Sequence, residues 1–279
     1  MSSLNSLGLD AFYALAREGN FTRTAKQLGL TQSALSQRVK NLEEELETSL
    51  FVRDRTGAQL TEAGQRLLVY CRQKQALEDE YRGGGKDVAA LTGVIRIGGY
   101  SSVMRSRILP AISELVAKHP ELQLEIQTRE LRELPTLLLN GAVDYLVLDY
   151  VWQREGVRSE RVGHEQSVLI EKRGYAGANI ILDHDVEDRA TSDFLRTTRQ
   201  SERYRGYRRR YVDDVYGLID GVRLGLGRAV VPAHLVEGER GLRVLNPKLR
   251  VENPICLHYF EQPYYTELQK AVLACFMGK

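Results

Sequence analysis

The sequence predicts three parts in order: an α+β winged helix-turn-helix module, one long linker helix, and a two-lobed α/β domain. Three observations carry this. Apolar residues fall at helical spacing in three short blocks between residues 9 and 46, separated by Gly19 and Gly29. Residues 65–82 run without glycine or proline and then meet Gly83-Gly84-Gly85. From Gly93 onward, short apolar stretches alternate with helical ones, the pattern of a mainly parallel sheet covered by helices.

At 279 residues, with roughly 100–200 per domain, two domains are expected. A hydrophobic share of 43% and a charged share of 27% exclude a disordered or fibrous class. No run of roughly 18 uncharged apolar residues occurs, so no membrane span is expected. The first residues lack a basic start followed by an apolar core, so no secretion signal is expected and the cytoplasm is the expected compartment. Cys71, Cys256 and Cys275 have no close spacing and support neither a disulfide framework nor a zinc site. The net charge of +2 does not decide about nucleic acid, because a small basic face can sit in a neutral chain.

In the first block Leu9, Phe12, Leu15 and Ala16 share one helical face, and Gly19 stops the helix in a left-handed cap. Thr22 is expected to cap a short second helix, residues 23–28, that buries Ala25 and Leu28. Gly29 ends it, and Thr31 caps a third. There Leu35, Val39, Leu42 and Leu46 recur at i, i+4, i+7 and i+11 as a buried stripe. The other face carries Gln32, Ser33, Ser36, Gln37 and Lys40, with Arg38 flanking. This is a helix-turn-helix pattern. A helix that enters the major groove needs short side chains in its first turns. Ser and Thr reach phosphates, and Gln pairs with adenine. A wing follows: Leu50–Arg53 as a strand, residues 54–59 as a turn around Gly57, and Leu60-Thr61 as the return, with Arg53 and Arg55 beside the DNA backbone. On pattern alone, three amphipathic helices with a merely solvated polar face read the same way.

The run Asn20-Phe21-Thr22…Ala25…Leu28…Thr31-Gln32-Ser33-Ala34-Leu35-Ser36…Val39…Leu42-Glu43…Leu46…Leu50-Phe51…Arg53…Leu60-Thr61…Ala63-Gly64 closely resembles the DNA-binding signature of LysR-type transcription regulators. The chain departs from that signature at Thr24-Ala25, where two alanines are usual, and at Glu47, where glycine is usual. Both positions are scaffold. The resemblance implies double-stranded DNA as a partner.

Thr61 is expected to cap the long helix, whose Leu67, Leu68, Cys71, Gln75, Leu77 and Tyr81 form an imperfect stripe. That stripe would pair with a second subunit or pack on the chain's own C-terminal domain. The resemblance implies the dimer. The expected division is residues 1–64, the linker 65–91, and 92–279, with lobe I as 92–162 plus 260–279 and lobe II as 163–259.

In lobe I, Gly93–Gly99 reads as a strand, Ser101–Lys118 as a helix interrupted at Pro110, Leu122–Thr128 as a strand, Glu133–Asn140 as a helix ending at Gly141, and Asp144–Leu148 as a strand. Ligands of such sheets bind at the carboxyl ends of strands, where Ser101, Ser102, Thr128 and Asp149 lie. Ser101 and Ser102 begin a helix whose free N–H groups suit a carboxylate, and Asp149 suits an amine. Together they suggest an amino-acid-like effector, although each alone is more often a cap or solvated loop residue. Lobe II follows with strands at Ser167–Glu171, Asn179–Leu182 and Arg209–Val212, a helix Asp213–Leu224, and Ala229–Pro232. A return through Ile255–Phe260 leads to a last helix, Tyr265–Phe276. Two crossings imply hinges near residues 150–163 and 259–263. Leu139-Asn140-Gly141…Asp144-Tyr145 and Gly225-Leu226-Gly227…Val231-Pro232 resemble motifs of the same family's periplasmic-binding-protein-like effector domain. Leu182-Asp183-His184…Asp188 and Leu257-His258-Tyr259-Phe260 are similar to its subgroup that senses lysine or arginine and controls amino-acid export or chromosome initiation.

Other signals fall away. Gly225-x-Gly227 lacks a third glycine and precedes a strand, so it is no dinucleotide fingerprint. Val103 stands where a nucleophile elbow after Gly99-x-Ser101 needs glycine. Asp183, His184, Asp185, Glu187 and Asp188 read as a metal site or a solvated acidic loop. The basic run Arg196, Arg199, Arg203, Arg205, Arg208, Arg209 and Arg210, with Tyr204, Tyr207 and Tyr211, reads as a solvated face or one paired with acidic residues of another subunit, ahead of an auxiliary DNA or anion contact. No convergent acid, base or nucleophile set, metal or cofactor is expected. The expected partners are double-stranded DNA, a small-molecule effector and a second copy of the chain, as dimer or tetramer, with no membrane. An effector-independent DNA-binding regulator remains the alternative, ahead of an α/β-domain enzyme.

Overall fold

The computed structural model describes residues 4–54, 57–83 and 91–277. Helices α1 (Ser6–Glu18), α2 (Phe21–Gln27) and α3 (Gln32–Glu45) pack together, with a two-stranded wing of β1 (Phe51–Asp54) antiparallel to β2 (Gly57–Leu60). Phe12, Leu15, Leu35, Val39 and Leu42 are fully buried between them. Each such side chain contributes about 1.5–3 kcal/mol of burial. Gly19 closes α1 at φ 66°, and its carbonyl accepts from the Ala58 N–H at 2.9 Å, which ties the wing to the first helix.

Two local expectations change here. Asn20, not Thr22, caps α2: it is extended, and its Oδ1 accepts from the Arg23 N–H at 3.0 Å. Asparagine outranks threonine at this position, so the helix starts earlier and the Thr22 hydroxyl is released for another partner. The wing turn is also shorter than expected. Ladder pairing of Arg53 with Ala58 and Asp54 with Gly57 carries the strands through residues of poor strand propensity. The turn itself, with Arg55, lies outside the described residues.

Helix α4 (Glu62–Gly83) is capped by Thr61, whose Oγ1 accepts from the Gly64 N–H at 3.0 Å. Its apolar residues divide between two directions. Leu68 and Cys71 are buried against the N-terminal helices, whereas Tyr70, Leu77 and Tyr81 are 45%, 47% and 88% exposed. One stripe therefore serves the chain's own module and the other is uncovered.

The remainder is built on one mixed sheet. Strands β3 (Gly93–Gly99), β4 (Leu122–Thr128) and β5 (Tyr145–Leu148) are parallel neighbours at one end, in order β4-β3-β5. Strands β7 (Ile180–Asp183), β8 (Arg208–Tyr211) and β9 (Arg228–Pro232) are parallel at the other, in order β9-β7-β8. Between them lie β6 (Val157–Lys172) and β11 (Val251–Phe260), antiparallel to each other, with the short β10 (Leu242–Val244) paired to β6. One core gathers Ile95, Ile97, Met104, Ile112, Leu257 and Phe276; another gathers Val168, Leu182, Leu218, Val222 and Val231.

Helices α7 (Leu134–Leu139), α8 (Ala190–Thr197), α9 (Val215–Leu224) and α10 (Glu267–Met277) complete the layers. The helix expected to break at Pro110 instead widens. It runs as α5 (Ser101–Val103), a π-turn (Met104–Ile108) and α6 (Leu109–Lys118). Proline lacks an N–H and its ring strikes the carbonyl four residues back, and a wider turn relieves both. Strand β6 is far longer than the expected Ser167–Glu171. Its first half shows no alternation because pairing with β11, not a buried face, holds it in place. The lobes are thus joined through paired strands in the region, near residues 150–163, where a hinge was expected. A bulge leaves Val162 unpaired opposite the Ile255/Cys256 step, and bulges bend a strand there.

Candidate functional site: recognition helix and inter-lobe cleft

Thr31 caps α3, with its Oγ1 accepting from the Ala34 N–H at 3.1 Å and lying 3.0 Å from the Ser33 Oγ. The Thr22 hydroxyl donates to Gln32 Oε1 at 3.3 Å, so the starts of α2 and α3 stand side by side. Thr22, Thr31, Gln32, Ser33, Gln37 and Lys40 are exposed, while Ser36 and Arg38 are half-buried. Leu35, Val39 and Leu42 occupy the opposite, buried face. The polar face is thereby presented outward by the packing of the apolar one. Asn41, which the sequence reading passed over, accepts from Gln37 Nε2 at 2.7 Å and holds that amide one turn away. Its i, i+4 spacing was the available signal. Lys40 pairs with Glu44 at 3.3 Å across exposed surface, a contact that a phosphate can replace at little cost. Arg53 lies on β1.

The second constellation draws on residues that follow β3 and β5 and on β6, which lies beyond β11 in the same sheet. Ser102 is 3% exposed and its hydroxyl donates to the carboxylate of Glu165, a β6 residue 8% exposed. Burial pushes Glu165 up to about 7, against the Ser102 hydrogen bond and with repulsion from Asp149. Burial likewise raises Asp149. Tyr100 is raised too, by burial first and then by Glu165 and Asp149. The Glu165 Oε1 and the Tyr100 hydroxyl are both buried without a hydrogen-bond partner. His234 Nδ1 is 3.6 Å from Glu165 Oε1, but burial and then Arg107 lower the imidazole and keep it neutral. The loop after Asp149 is pinned: the Trp152 N–H donates to Nε2 of the fully buried His258 at 3.0 Å, and burial keeps that ring neutral as well. Of the expected residues, Ser102 and Asp149 come together here. Ser101 is half-buried at the helix start, and Thr128 is exposed at the end of the edge strand β4. Tyr100, Glu165 and His234 were missed. Glu165 sits in a stretch without periodicity, so no local signal marks it.

The lobes are clasped over this cluster. Arg105 of the π-turn lies 4.2 Å from the ring centroid of Tyr216 on α9. Arg132 pairs with Asp185 at 3.2 Å and Glu187 at 3.5 Å. The acidic loop is otherwise consumed internally. Burial opposes ionisation of Asp188, yet hydrogen bonds from His184 and Ala190 bring it down to about 2. His184 is raised, burial notwithstanding, by Asp188 at 3.0 Å. Among the described residues no group of three or more such side chains could hold a metal ion. The neighbouring basic run is largely committed as well. Arg209 binds Asp183 at 2.5 Å and the carbonyls of Asp185, Val186 and Asp188, and Arg210 binds the Leu226 carbonyl at 2.8 Å.

A family model described as a bacterial regulatory helix-turn-helix protein of the lysR family matches residues 8–65. The LysR substrate binding domain matches residues 89–277. The regulator YofA of Bacillus subtilis strain 168 is 29% identical over 238 residues, covering 84% of each chain. Among solved structures, ArgP from Mycobacterium tuberculosis superposes with a TM-score of 0.79 at 19% identity, covering 99% of this chain and 97% of that one. Full-length LysG from Corynebacterium glutamicum with bound effector Arg gives 0.73 at 19% identity, covering 98% and 97%.

Proposed function

Because this chain belongs to the LysR family of transcription regulators, we propose that its effector is a basic amino acid held between the two lobes, and that α3 reads duplex DNA. The chain is a DNA-binding regulator with an effector-binding domain, and its named relatives are regulators, not enzymes. No helix among the described residues is long and apolar enough to cross a membrane, and we assign the protein to the cytoplasm.

One observation carries the effector's charge: Glu165 is buried with Asp149 half-buried beside it, Glu165 is held above its usual range in spite of the attraction of Arg107, and among the described residues neither carboxylate has a lysine or arginine within 4.0 Å. Holding two neighbouring carboxylates out of water without a directly paired cation is costly, and an ammonium or guanidinium offsets that cost. The vacant acceptor on Glu165 and the Tyr100 hydroxyl supply hydrogen bonds that fix its orientation. Ser101 and Ser102, with the helix-start N–H groups, take the α-carboxylate, and Thr128 stands at the rim. LysG, which shares the fold, carries Arg as its effector.

On the DNA side, Ser33, Ser36 and Gln37 approach base edges. Thr22, Thr31, Gln32, Arg38 and Lys40, with Arg53 and Arg55 of the wing, hold phosphates. A single short helix binds weakly, so two copies act together, joined through the uncovered Tyr70, Leu77 and Tyr81 stripe of α4. The working division is a reading module to residue 64, a linker to 91, and the effector domain beyond. Strand β5 connects the two functions, since Asp144 before it pairs with Arg72 of α4 at 3.3 Å and Asp149 follows it in the cleft. An effector that prefers one lobe arrangement biases α4 through this strand.

Calorimetry on the full-length chain with L-arginine, L-lysine, L-citrulline and L-glutamate tests the effector. Arginine and lysine bind, and citrulline, which lacks the cation, binds at least tenfold more weakly. Affinity for arginine rises with pH through about 7, with proton release, because the cation favours ionised Glu165. Equal binding of citrulline and arginine, or no binding of either base, removes the proposal.

A further inference from the structure

A cavity of about 520 Å³ lies away from the inter-lobe cleft, between the DNA-reading module and lobe I. Its walls come from α1, α4, the start of β3, and the segment leading into α10. We propose that it is a second ligand site, for an apolar monocarboxylate. The volume falls within the range of roughly 300–1,000 Å³ used by small-molecule sites, which favour domain junctions. Leu91, Val94, Tyr259, Tyr265, Leu268 and Val272 give it an apolar body.

The polar groups of the wall decide the ligand's sign. Its carboxylates already have partners. Asp144 is paired by Arg72 and Arg96, Asp79 accepts from Gln75 Nε2 at 2.8 Å, and Glu267 is paired by Lys270 at 2.7 Å. Its donors do not all have acceptors. The Arg72 Nε is buried with no hydrogen-bond partner. Arg17 is exposed and stacks on Tyr13 at 5.9 Å from the ring centroid, with no carboxylate within 4.0 Å among the described residues. What the site lacks is an acceptor, and a carboxylate on an apolar body supplies it.

Position gives such a ligand leverage. The Arg72 that lines the cavity also donates to the Gly141 carbonyl and, at 2.8 Å, to the Val143 carbonyl, and so latches α4 to lobe I. A ligand with its carboxylate between Arg17 of α1 and Arg72 of α4 and its apolar body against Leu268 and Val272 therefore touches the DNA-reading module, the linker helix and the effector domain at once, and fixes their relative placement.

The test is calorimetric titration of the full-length protein with 1-naphthoate and with octanoate, in about 10 mM L-arginine to fill the cleft and without it. Binding of either probe at one site per chain, unaffected by arginine, is expected. Arg17→Gln is exposed and leaves the fold intact; it weakens that binding about tenfold, the worth of one charge-assisted hydrogen bond. Leu268→Trp fills the cavity and abolishes the binding, while arginine binding persists as proof of folding. Failure of both probes to bind, or binding that neither variant alters, overturns the proposal. Loss of arginine binding by the wild type bears on the cleft alone, since the two ligands are read in separate titrations.

Discussion

Replacing Glu165 by glutamine removes one charge and keeps the shape. In the wild type, burial raises this carboxyl from 4.5 to about 7. A raised acid binds its proton more tightly folded than unfolded. The resulting penalty on the folded state is absent below about pH 4.5, grows as the pH rises through that window, and is complete above about 7. At 1.36 kcal/mol per unit, a displacement of about 2.5 corresponds to roughly 3 kcal/mol. Glu165→Gln escapes it, because the amide carbonyl still accepts from Ser102. Urea unfolding of the variant and wild type at pH 5 and pH 8 measures the difference. The variant gains little at pH 5 and on the order of 3 kcal/mol at pH 8, and it binds arginine at least tenfold more weakly. Stability given up for a ligand is the expected signature of a binding group. A variant no more stable at pH 8 than at pH 5, with unchanged arginine affinity, refutes the reasoning.

Other consequences concern different parts of the chain. Ser33→Ala and Gln37→Ala each weaken binding to a selected duplex by about 1–3 kcal/mol at fixed salt, read by fluorescence anisotropy, with the unfolding transition unchanged. Gly141→Ala is strained at φ 71° and places its Cβ 2.8 Å from Leu68 Cδ2 and 3.0 Å from Arg72 Nη2, so it loosens α4 from lobe I. Chemical denaturation should show a loss of about 1–3 kcal/mol or a separate early transition. Arg132→Ala releases the exposed clasp to Asp185 and Glu187. Stability changes by less than about 1 kcal/mol, while stopped-flow mixing shows faster arginine entry and exit.

What could be read from the sequence was what has a period. Leu35, Val39 and Leu42 announce α3 and, by opposition, its polar face, which is why the exposed placement of Ser33 and Gln37 was legible without any tertiary information. The alternation of Leu122, Leu124 and Ile126 places β4 equally well. Asp149 was legible because a strand end is a position and needs no partner to define it. Glu165 was not, because its meaning comes from Ser102, Tyr100 and Asp149, all brought from distant chain positions by β6. The first half of β6 is likewise invisible to hydrophobic pattern, since its order comes from the ladder with β11. Arg72 looked like one more polar residue on a long helix; its partners Gly141 and Val143 lie about seventy residues away. The basic run was ambiguous in sequence. A solvated face, or pairing with acidic residues of another subunit, outranks an anion contact there, and Arg209 instead holds the acidic loop of its own lobe.

Effector control requires a link between the inter-lobe cleft and the reading of DNA. Footprinting of a duplex selected from random sequence, by the full-length chain with and without L-arginine, tests that link most directly. The protected pattern should change with arginine in the wild type and stay fixed in Asp149→Asn. A wild-type footprint and affinity identical in both conditions would contradict it.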